Sequence, residues 1–181
     1  MQIGVFGSWD QDLKGEAYET AERVGELIAA RGDVLFTGGS TGIMEAAMRG
    51  AKRMNGLTVG MIPVERKEDY KFMGNHIDIH IMTGMGEFGK LAPLVNSVDG
   101  AIAIGGGAGT LMEISMAYLQ DKPIVAIPVG GYLSDRIRSF LMDGHLDHRK
   151  IQRLHFADDA AEAVRVLYDE IGQRLGVTAR R

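Results

Sequence analysis

A short apolar run followed by four glycines constrains this chain more than any other stretch. Residues 101–104 are Ala-Ile-Ala-Ile, and the glycines stand at positions 105, 106, 107 and 109. The run predicts a buried strand, and the spacing of the apolar residues after it predicts a helix. That apolar stripe comprises Leu111, Ile114, Ala117 and Tyr118. Because glycine has no Cβ, the turn can approach a ligand closely, and the free N–H groups that begin the helix favour an anion. The stretch therefore predicts a phosphate-binding turn.

The carboxylate of Glu113 follows this turn, and its spacing permits two interpretations. Thr110 and Glu113 match the T-x-x-E capping box, in which the glutamate only satisfies an N–H group of its own helix. Alternatively, Glu113 is a functional carboxylate beside the bound anion. The stretch matches neither G-x-G-x-x-G nor G-x-x-x-x-G-K-[ST], which excludes a dinucleotide fingerprint and a P-loop here.

Short apolar strand patterns alternate with helix patterns along the chain. The predicted strands are 2–6, 34–37, 57–62, 77–82, 101–104, 124–128 and 154–156. The predicted helices are about 15–31 and 43–54, one within 86–97, one after the glycine turn, one ending near 142, and 157–175. Residues 64–75 are charged and irregular, which predicts a mobile loop, and 178–181 are expected to be frayed.

Strands that are apolar on both faces and alternate with helices are typical of parallel sheets covered on both sides. We therefore predict the α/β class, with a doubly wound Rossmann-like parallel sheet and helices on both faces. Since no linker interrupts the pattern, we expect a single nucleotide-phosphate-binding domain over residues 1–181.

Glycine-rich loops follow four of the predicted strands, beginning at Gly7, Gly38, Gly105 and Gly130. In doubly wound sheets, ligands bind beyond the carboxyl ends of the strands, where these loops begin. Residues 38–48 also align without gaps with residues 106–116. We favour shared local geometry over shared descent as the reason, because strand-to-helix turns converge on glycine. Two helix N-termini at one crevice would suit a phosphorylated ligand such as a nucleotide.

Composition excludes several classes of function. The formal charge of −4 argues against a general nucleic-acid-binding protein, which usually carries a basic face. The absence of cysteine excludes disulfides, thiolate metal sites and cysteine nucleophiles. No signal-peptide pattern and no apolar run long enough to span a membrane is present. We therefore expect a cytoplasmic protein without nucleic-acid or membrane partners.

Several other polar and aromatic residues allow two interpretations each. His76, Asp78 and His80 share one face of a predicted strand, and we favour a polar face over a metal site. We expect no metal site. Trp9 and Tyr132 each follow a glycine turn, where either could stack on a base or cover the core.

The sequence resembles the Lonely Guy and molybdenum-cofactor-carrier-like branch of the Rossmann-type nucleotide-binding proteins, many of which were labelled "possible lysine decarboxylase". The resemblance extends over residues 3–127. It rests on Val5-Phe6-Gly7-Ser8, Gly38-Gly39-x-x-Gly42-x-Met44 and Gly106-Gly107-x-Gly109-Thr110-x-x-Glu113. The last of these resembles the family motif P-G-G-x-G-T-x-x-E. The resemblance implies a homodimer or higher homo-oligomer that binds a nucleoside monophosphate or a similar small phosphorylated molecule. No lysine is in a setting typical of a pyridoxal site, and we expect no cofactor.

Lonely Guy enzymes hydrolyse the N-glycosidic bond of cytokinin nucleoside 5′-monophosphates, and the resemblance gives Glu113 the role of stabilising charge or orienting water. The family pairs this glutamate with an arginine, whereas this chain has Lys90. Lysine keeps the charge but lacks the planar fork of arginine. Lys90 is therefore either a phosphate-binding residue or a solvated helix lysine. Gly105 replaces the family proline, as is usual in the carrier-like branch.

Two functional hypotheses follow. The first is a nucleoside 5′-monophosphate phosphoribohydrolase, with Glu113 and Lys90 as the catalytic residues. The second is a non-catalytic carrier or sensor of a phosphorylated ligand such as the molybdenum cofactor. Both use the same candidate phosphate- and nucleotide-binding residues: Gly7, Ser8, Gly38, Gly39, Ser40, Thr41, Gly42, Met44, Gly105, Gly106, Gly107, Ala108, Gly109, Thr110 and Tyr132.

Overall fold

Seven parallel strands form one sheet in the computed structural model, which describes residues 1–12 and 15–176. The strands are β1 (Gln2–Gly7), β2 (Val34–Thr37), β3 (Thr58–Ile62), β4 (Ile79–Met82), β5 (Gly100–Ile104), β6 (Ile124–Ile127) and β7 (His155–Phe156). Their order across the sheet is β4-β3-β2-β1-β5-β6-β7, and every neighbouring pair is parallel.

Helices cover both faces of this sheet. They are α1 (Glu16–Ala29), α2 (Ile43–Arg53), α3 (Gly86–Gly89), α4 (Leu91–Asn96), α5 (Ala108–Leu119) and α6 (Ala160–Arg174), with 3-10 helices at Lys67–Asp69 and Leu133–Phe140. One apolar core lies under α1, α2 and α6, and a second lies under α4 and α5. Neighbouring residues of β1 divide between the two cores, because successive side chains of a strand point to opposite faces. The predicted doubly wound Rossmann-like fold is confirmed.

Some element boundaries differ from the prediction for local reasons. The single helix predicted within 86–97 is divided at Lys90 into α3 and α4. Gly86 and Gly89 weaken the first piece, and Pro93 is tolerated because it stands in the first turn of the second. The helix predicted to end near 142 is a 3-10 helix that ends at Phe140. The predicted frayed end at 178–181 lies outside the described residues.

Two glycines bring α1 and α2 into backbone contact. A Cβ placed on Gly25 would lie 1.9 Å from the main-chain oxygen of Ala47, and one on Gly50 would lie 1.9 Å from that of Glu22. Only glycine permits this approach, because any side chain would force the helices apart. The contact fixes α2, whose first turn follows the glycine-rich turn after β2.

The direction of chain progression reverses at β1. From β1 the chain moves outward through β2, β3 and β4, and then crosses back to place β5 on the other side of β1. Gly7 at the end of β1 is paired in register with Ile104 at the end of β5. Such a reversal leaves a crevice beyond the carboxyl ends of the central strands, which is where this fold class binds ligands. No helix among residues 1–12 and 15–176 has the length and apolar character needed to cross a membrane.

Candidate functional site

A cavity of about 740 Å³ lies beyond the carboxyl ends of β1, β2 and β5. Its size is within the range of roughly 300–1,000 Å³ that is usual for small-molecule sites. Twelve of the predicted site residues line it: Gly7, Ser8, Gly38, Ser40, Met44, Lys90, Gly107, Ala108, Gly109, Thr110, Glu113 and Tyr132. The other lining residues are Trp9, Asp10, Tyr70, Phe72, Glu87, Phe88 and Leu91.

Five predicted binding residues are not part of the cavity lining: Gly39, Thr41, Gly42, Gly105 and Gly106. All four glycines have positive φ values, which only glycine adopts without strain. A Cβ on Gly42 would lie 2.4 Å from the main-chain oxygen of Ser8, and one on Gly106 would lie 2.1 Å from the hydroxyl of Thr110. These glycines fix the backbone turns that carry the lining residues.

The start of α5 decides between the two interpretations of Glu113. The N-cap residue is Gly107, and the helix begins at Ala108, so Thr110 is already inside the first turn. Glu113 therefore stands in the second turn, too far along the helix to close a capping box. Its side chain makes no hydrogen bond to any residue that the structure describes. The capping-box interpretation is wrong, and Glu113 faces the cavity instead.

Burial dominates the electrostatics of Glu113. The residue is only 6% exposed, and this burial raises the pKa of its carboxyl to about 8, against the opposing attraction of Lys90. The carboxyl is therefore mostly protonated at neutral pH in the free protein. A neutral acid can lie beside an anionic ligand without repelling it, and it can donate a hydrogen bond.

Lys90 is buried at the junction of α3 and α4. It is 4% exposed, and its Nζ atom donates a hydrogen bond of 2.9 Å to the main-chain oxygen of Gly38. The same atom forms an ion pair of 3.1 Å with Glu87 and lies 5.6 Å from the ring centroid of Tyr70. The alternative of a solvated helix lysine is wrong, since Lys90 reaches into the cavity wall.

The segment predicted as a mobile loop, residues 64–75, contributes Tyr70 and Phe72 to the cavity. The main-chain oxygen of Phe72 accepts hydrogen bonds from the Ser40 hydroxyl at 3.0 Å and from the Thr41 N–H at 3.1 Å. Burial raises the pKa of Tyr70 to about 12, which keeps its hydroxyl protonated at neutral pH. The sequence signal for this contribution is a pair of aromatic residues two positions apart in an otherwise charged stretch, and it was not recognised.

The aligned turns after β2 and β5 differ in their chemistry. Glu45, which aligns with Glu113, accepts a hydrogen bond of 2.9 Å from Asn75 and does not line the cavity. The first N–H group of α2, on Ile43, donates to the main-chain oxygen of Ser8 at 2.9 Å. Of the two helix starts, α5 is therefore the one that offers its first turn, residues 107–110, to a ligand.

The predicted strand face of His76, Asp78 and His80 is not formed, because β4 begins at Ile79 and only His80 belongs to it; none of the three residues lines the cavity. The Asp78 carboxylate forms an ion pair of 2.8 Å with Lys52 and accepts a hydrogen bond of 2.9 Å from the Thr58 N–H group. These contacts lower the pKa of Asp78 against the effect of its partial burial. The Asp78 carboxylate thus stabilises the structure near the β4 edge of the sheet.

Known proteins are similar to this chain in sequence and in fold. The profile of the SLOG cluster4 family matches residues 1–164. A protein of Archaeoglobus fulgidus is 43% identical over 127 residues, which are 70% of this chain and 80% of that protein. The cytokinin riboside 5′-monophosphate phosphoribohydrolase of Mycobacterium marinum is 28% identical over 160 residues, or 82% and 84% of the two chains. The structure of the molybdenum cofactor carrier protein of Chlamydomonas reinhardtii superposes with a TM-score of 0.75 at 31% identity, covering 94% of this chain and 98% of that one.

Proposed function

The chain belongs to the SLOG cluster4 family, and from this premise we propose that it binds a nucleoside 5′-monophosphate or a similar phosphorylated ligand in the cavity beside Glu113. The resemblance to the Lonely Guy and carrier-like proteins is confirmed by its relatives. One observation carries the proposal most directly. The glycine-rich start of α5, the buried ammonium of Lys90 and the buried acid of Glu113 converge on one cavity.

The phosphate group fits best at the first turn of α5. Backbone N–H groups there are not used by the helix itself, and the helix dipole favours negative charge. Gly107 and Gly109 leave this approach open, since nothing lies within 4 Å of the Cβ that either would carry. Lys90 supplies a positive charge from the part of the cavity wall next to Gly38.

Hydrolysis of an N-glycosidic bond is the first candidate activity. Water adds to C1′ of the ribose, the C1′–N bond breaks, and the base leaves with the bonding electrons and takes up a proton. The ribose develops positive charge on the way, which an ionised carboxylate stabilises. In its protonated form Glu113 can donate to the leaving base, and in its ionised form it can stabilise that charge or accept a proton from water.

Non-catalytic binding is the second candidate, and the surroundings of Lys90 favour it specifically. A lysine bound by Gly38 and Glu87 holds a phosphate less rigidly than a bidentate arginine would. The similarity to the carrier protein of Chlamydomonas reinhardtii points the same way. In this case the ligand stays intact.

Release of free base from a panel of nucleoside 5′-monophosphates tests the two candidates. Turnover that Glu113→Gln abolishes supports the hydrolase, and calorimetric binding without turnover supports the carrier. Glu45→Gln is the matched control, because Glu45 aligns with Glu113 in sequence but lies outside the cavity lining. Failure of the wild type to bind any member of the panel or inorganic phosphate would refute the proposal.

We also propose a homodimer in the cytoplasm, as the resemblance implies. In support, α5 exposes an apolar hollow lined by Leu111, Met112, Ser115, Met116 and Leu119. Light scattering after size exclusion measures the mass. A dimer that Met112→Glu and Leu119→Glu together convert to a monomer supports the proposal, and a wild-type monomer contradicts it.

A further inference from the structure

Two exposed aromatic side chains stand at the mouth of the cavity. Trp9 is 59% exposed and Phe72 is 40% exposed, although both are large apolar residues. Their ring centroids are 5.2 Å apart with the planes inclined at 51°. Neither ring contributes to the two apolar cores, so folding alone does not explain their position.

Thr41 links the main chains of Trp9 and Phe72. The N–H group of Thr41 donates to the main-chain oxygen of Phe72 at 3.1 Å, and the Thr41 hydroxyl donates to that of Trp9 at 2.6 Å. Ser40 adds a second hydrogen bond to Phe72 at 3.0 Å. The two rings are therefore set against each other before any ligand arrives, which lowers the entropy lost on binding.

The aromatic residues continue inward to the charged end of the cavity. The centroid of Tyr70 is 6.3 Å from that of Phe72, and the Nζ atom of Lys90 is 5.6 Å from the Tyr70 centroid. Exposure falls along this series from Trp9 to the buried Lys90. One wall of the cavity thus changes from aromatic at the mouth to cationic at its inner end.

Resting on the proposed function, we infer that Trp9 and Phe72 form a stacking platform that makes the cavity specific for phosphates carrying a planar heterocycle. The phosphate binds at the inner end, and the ring stacks at the mouth. Aromatic side chains hold nucleobases through their π-faces without reading individual base edges. A sugar phosphate without an aromatic heterocycle leaves this platform unused.

The chain has one tryptophan, so fluorescence excited beyond the tyrosine absorption band reports on Trp9 alone. The probes are AMP, a phosphorylated pterin, ribose 5-phosphate and inorganic phosphate, with affinities measured by calorimetry. We expect AMP or the pterin to change the Trp9 emission, and ribose 5-phosphate to bind without that change. Whichever of AMP and the pterin binds more tightly indicates the class of heterocycle that the platform prefers.

Substitution then separates the platform from the phosphate site. Trp9→Leu and Phe72→Leu should each lower the affinity for AMP or the pterin by about fivefold or more, which is the loss expected of one stacking contact. Both variants should bind ribose 5-phosphate as the wild type does. Trp9→Phe, which keeps an aromatic ring, should retain most of the affinity. Phe140→Leu is the matched control, because Phe140 is as exposed as Trp9 but does not line the cavity.

An equal loss of AMP and ribose 5-phosphate affinity in Trp9→Leu, or no loss of either, would overturn the inference. Binding of ribose 5-phosphate that is as tight as that of both ring ligands would overturn it and leave the proposed phosphate binding intact. Binding of none of the four probes would overturn both.

Discussion

The Nζ atom of Lys90 donates a 2.9 Å hydrogen bond to the main-chain oxygen of Gly38, 52 positions earlier in the chain. This bond joins the α3–α4 junction to the turn after β2, and it places a positive charge at the inner wall of the cavity. A Cβ on Gly38 would lie 3.4 Å from the same Nζ atom, so the turn and the lysine fit closely.

Replacing Lys90 should weaken phosphate binding. Lys90→Met removes the charge while keeping a long side chain, and we expect the affinity for inorganic phosphate or AMP to fall about tenfold, as for one lost charge-assisted hydrogen bond. Calorimetry measures the loss. Lys71→Met is the control, because Lys71 is exposed and does not line the cavity. Equal affinities in wild type and Lys90→Met would contradict the assignment.

Glu113 should make the stability of the protein depend on pH. Its pKa is raised from 4.5 to about 8, so between these values the folded state holds one proton more than the unfolded state. The free energy of unfolding should therefore fall as the pH rises, by up to about 1.4 kcal/mol per unit, and level off above the folded pKa.

Glu113→Gln lacks this titration. Relative to the wild type, the variant should gain stability between pH 5 and pH 8, measured by urea unfolding at both values. If the difference in stability between the variant and the wild type were the same at pH 5 and at pH 8, the pKa of Glu113 would not be raised in the folded protein.

We expect Glu87 to compete with a bound phosphate for Lys90. Its carboxylate lies 3.1 Å from the Nζ atom and is 56% exposed, so it is free to move away when a phosphate arrives. Glu87→Gln removes this competing charge, and we expect phosphate affinity to rise severalfold. Glu68→Gln, at an exposed glutamate paired with Arg66, should leave the affinity unchanged. Weaker binding in Glu87→Gln would instead identify Glu87 as a residue that orients Lys90.

The contact between α1 and α2 should not tolerate a methyl group. Gly25→Ala places a carbon 1.9 Å from the main-chain oxygen of Ala47, and we expect a loss of about 1–3 kcal/mol or more in the free energy of unfolding. Gly109→Ala, also in a helix, has nothing within 4 Å of the new carbon and should not destabilise the protein. Equal urea midpoints for the two variants would contradict this account.

The fold was predictable from sequence because its signals are local. Short apolar runs mark the strands of a parallel sheet, four of them followed by glycine-rich loops, and the helix stripes between them cover its faces. Most of the predicted residues that line the cavity follow from the same pattern, since the loops after β1, β2 and β5 meet at one edge, whereas Lys90 was identified from the family resemblance.

Tyr70, Phe72 and the burial of Lys90 were not predictable in this way. The position of Phe72 depends on hydrogen bonds from Ser40 and Thr41, more than thirty residues away, which leave no periodic trace. The spacing of Thr110 and Glu113 allowed a capping box because sequence does not give the residue at which a helix begins. The helix begins at Ala108, directly after the turn of Gly105, Gly106 and Gly107, and so earlier than a capping box at Thr110 requires.

The placement of β1 between β2 and β5 has a consequence for how the protein responds to its ligand. Residues 7–10 and 107–113 meet in the cavity only when β1 is paired with β5, although β2, β3 and β4 lie between these two strands in the chain. A molecule bound there adds its binding free energy to the intact sheet and nothing to a partly assembled one. Ligand occupancy should therefore slow proteolysis of outlying segments as well as of the loops it touches.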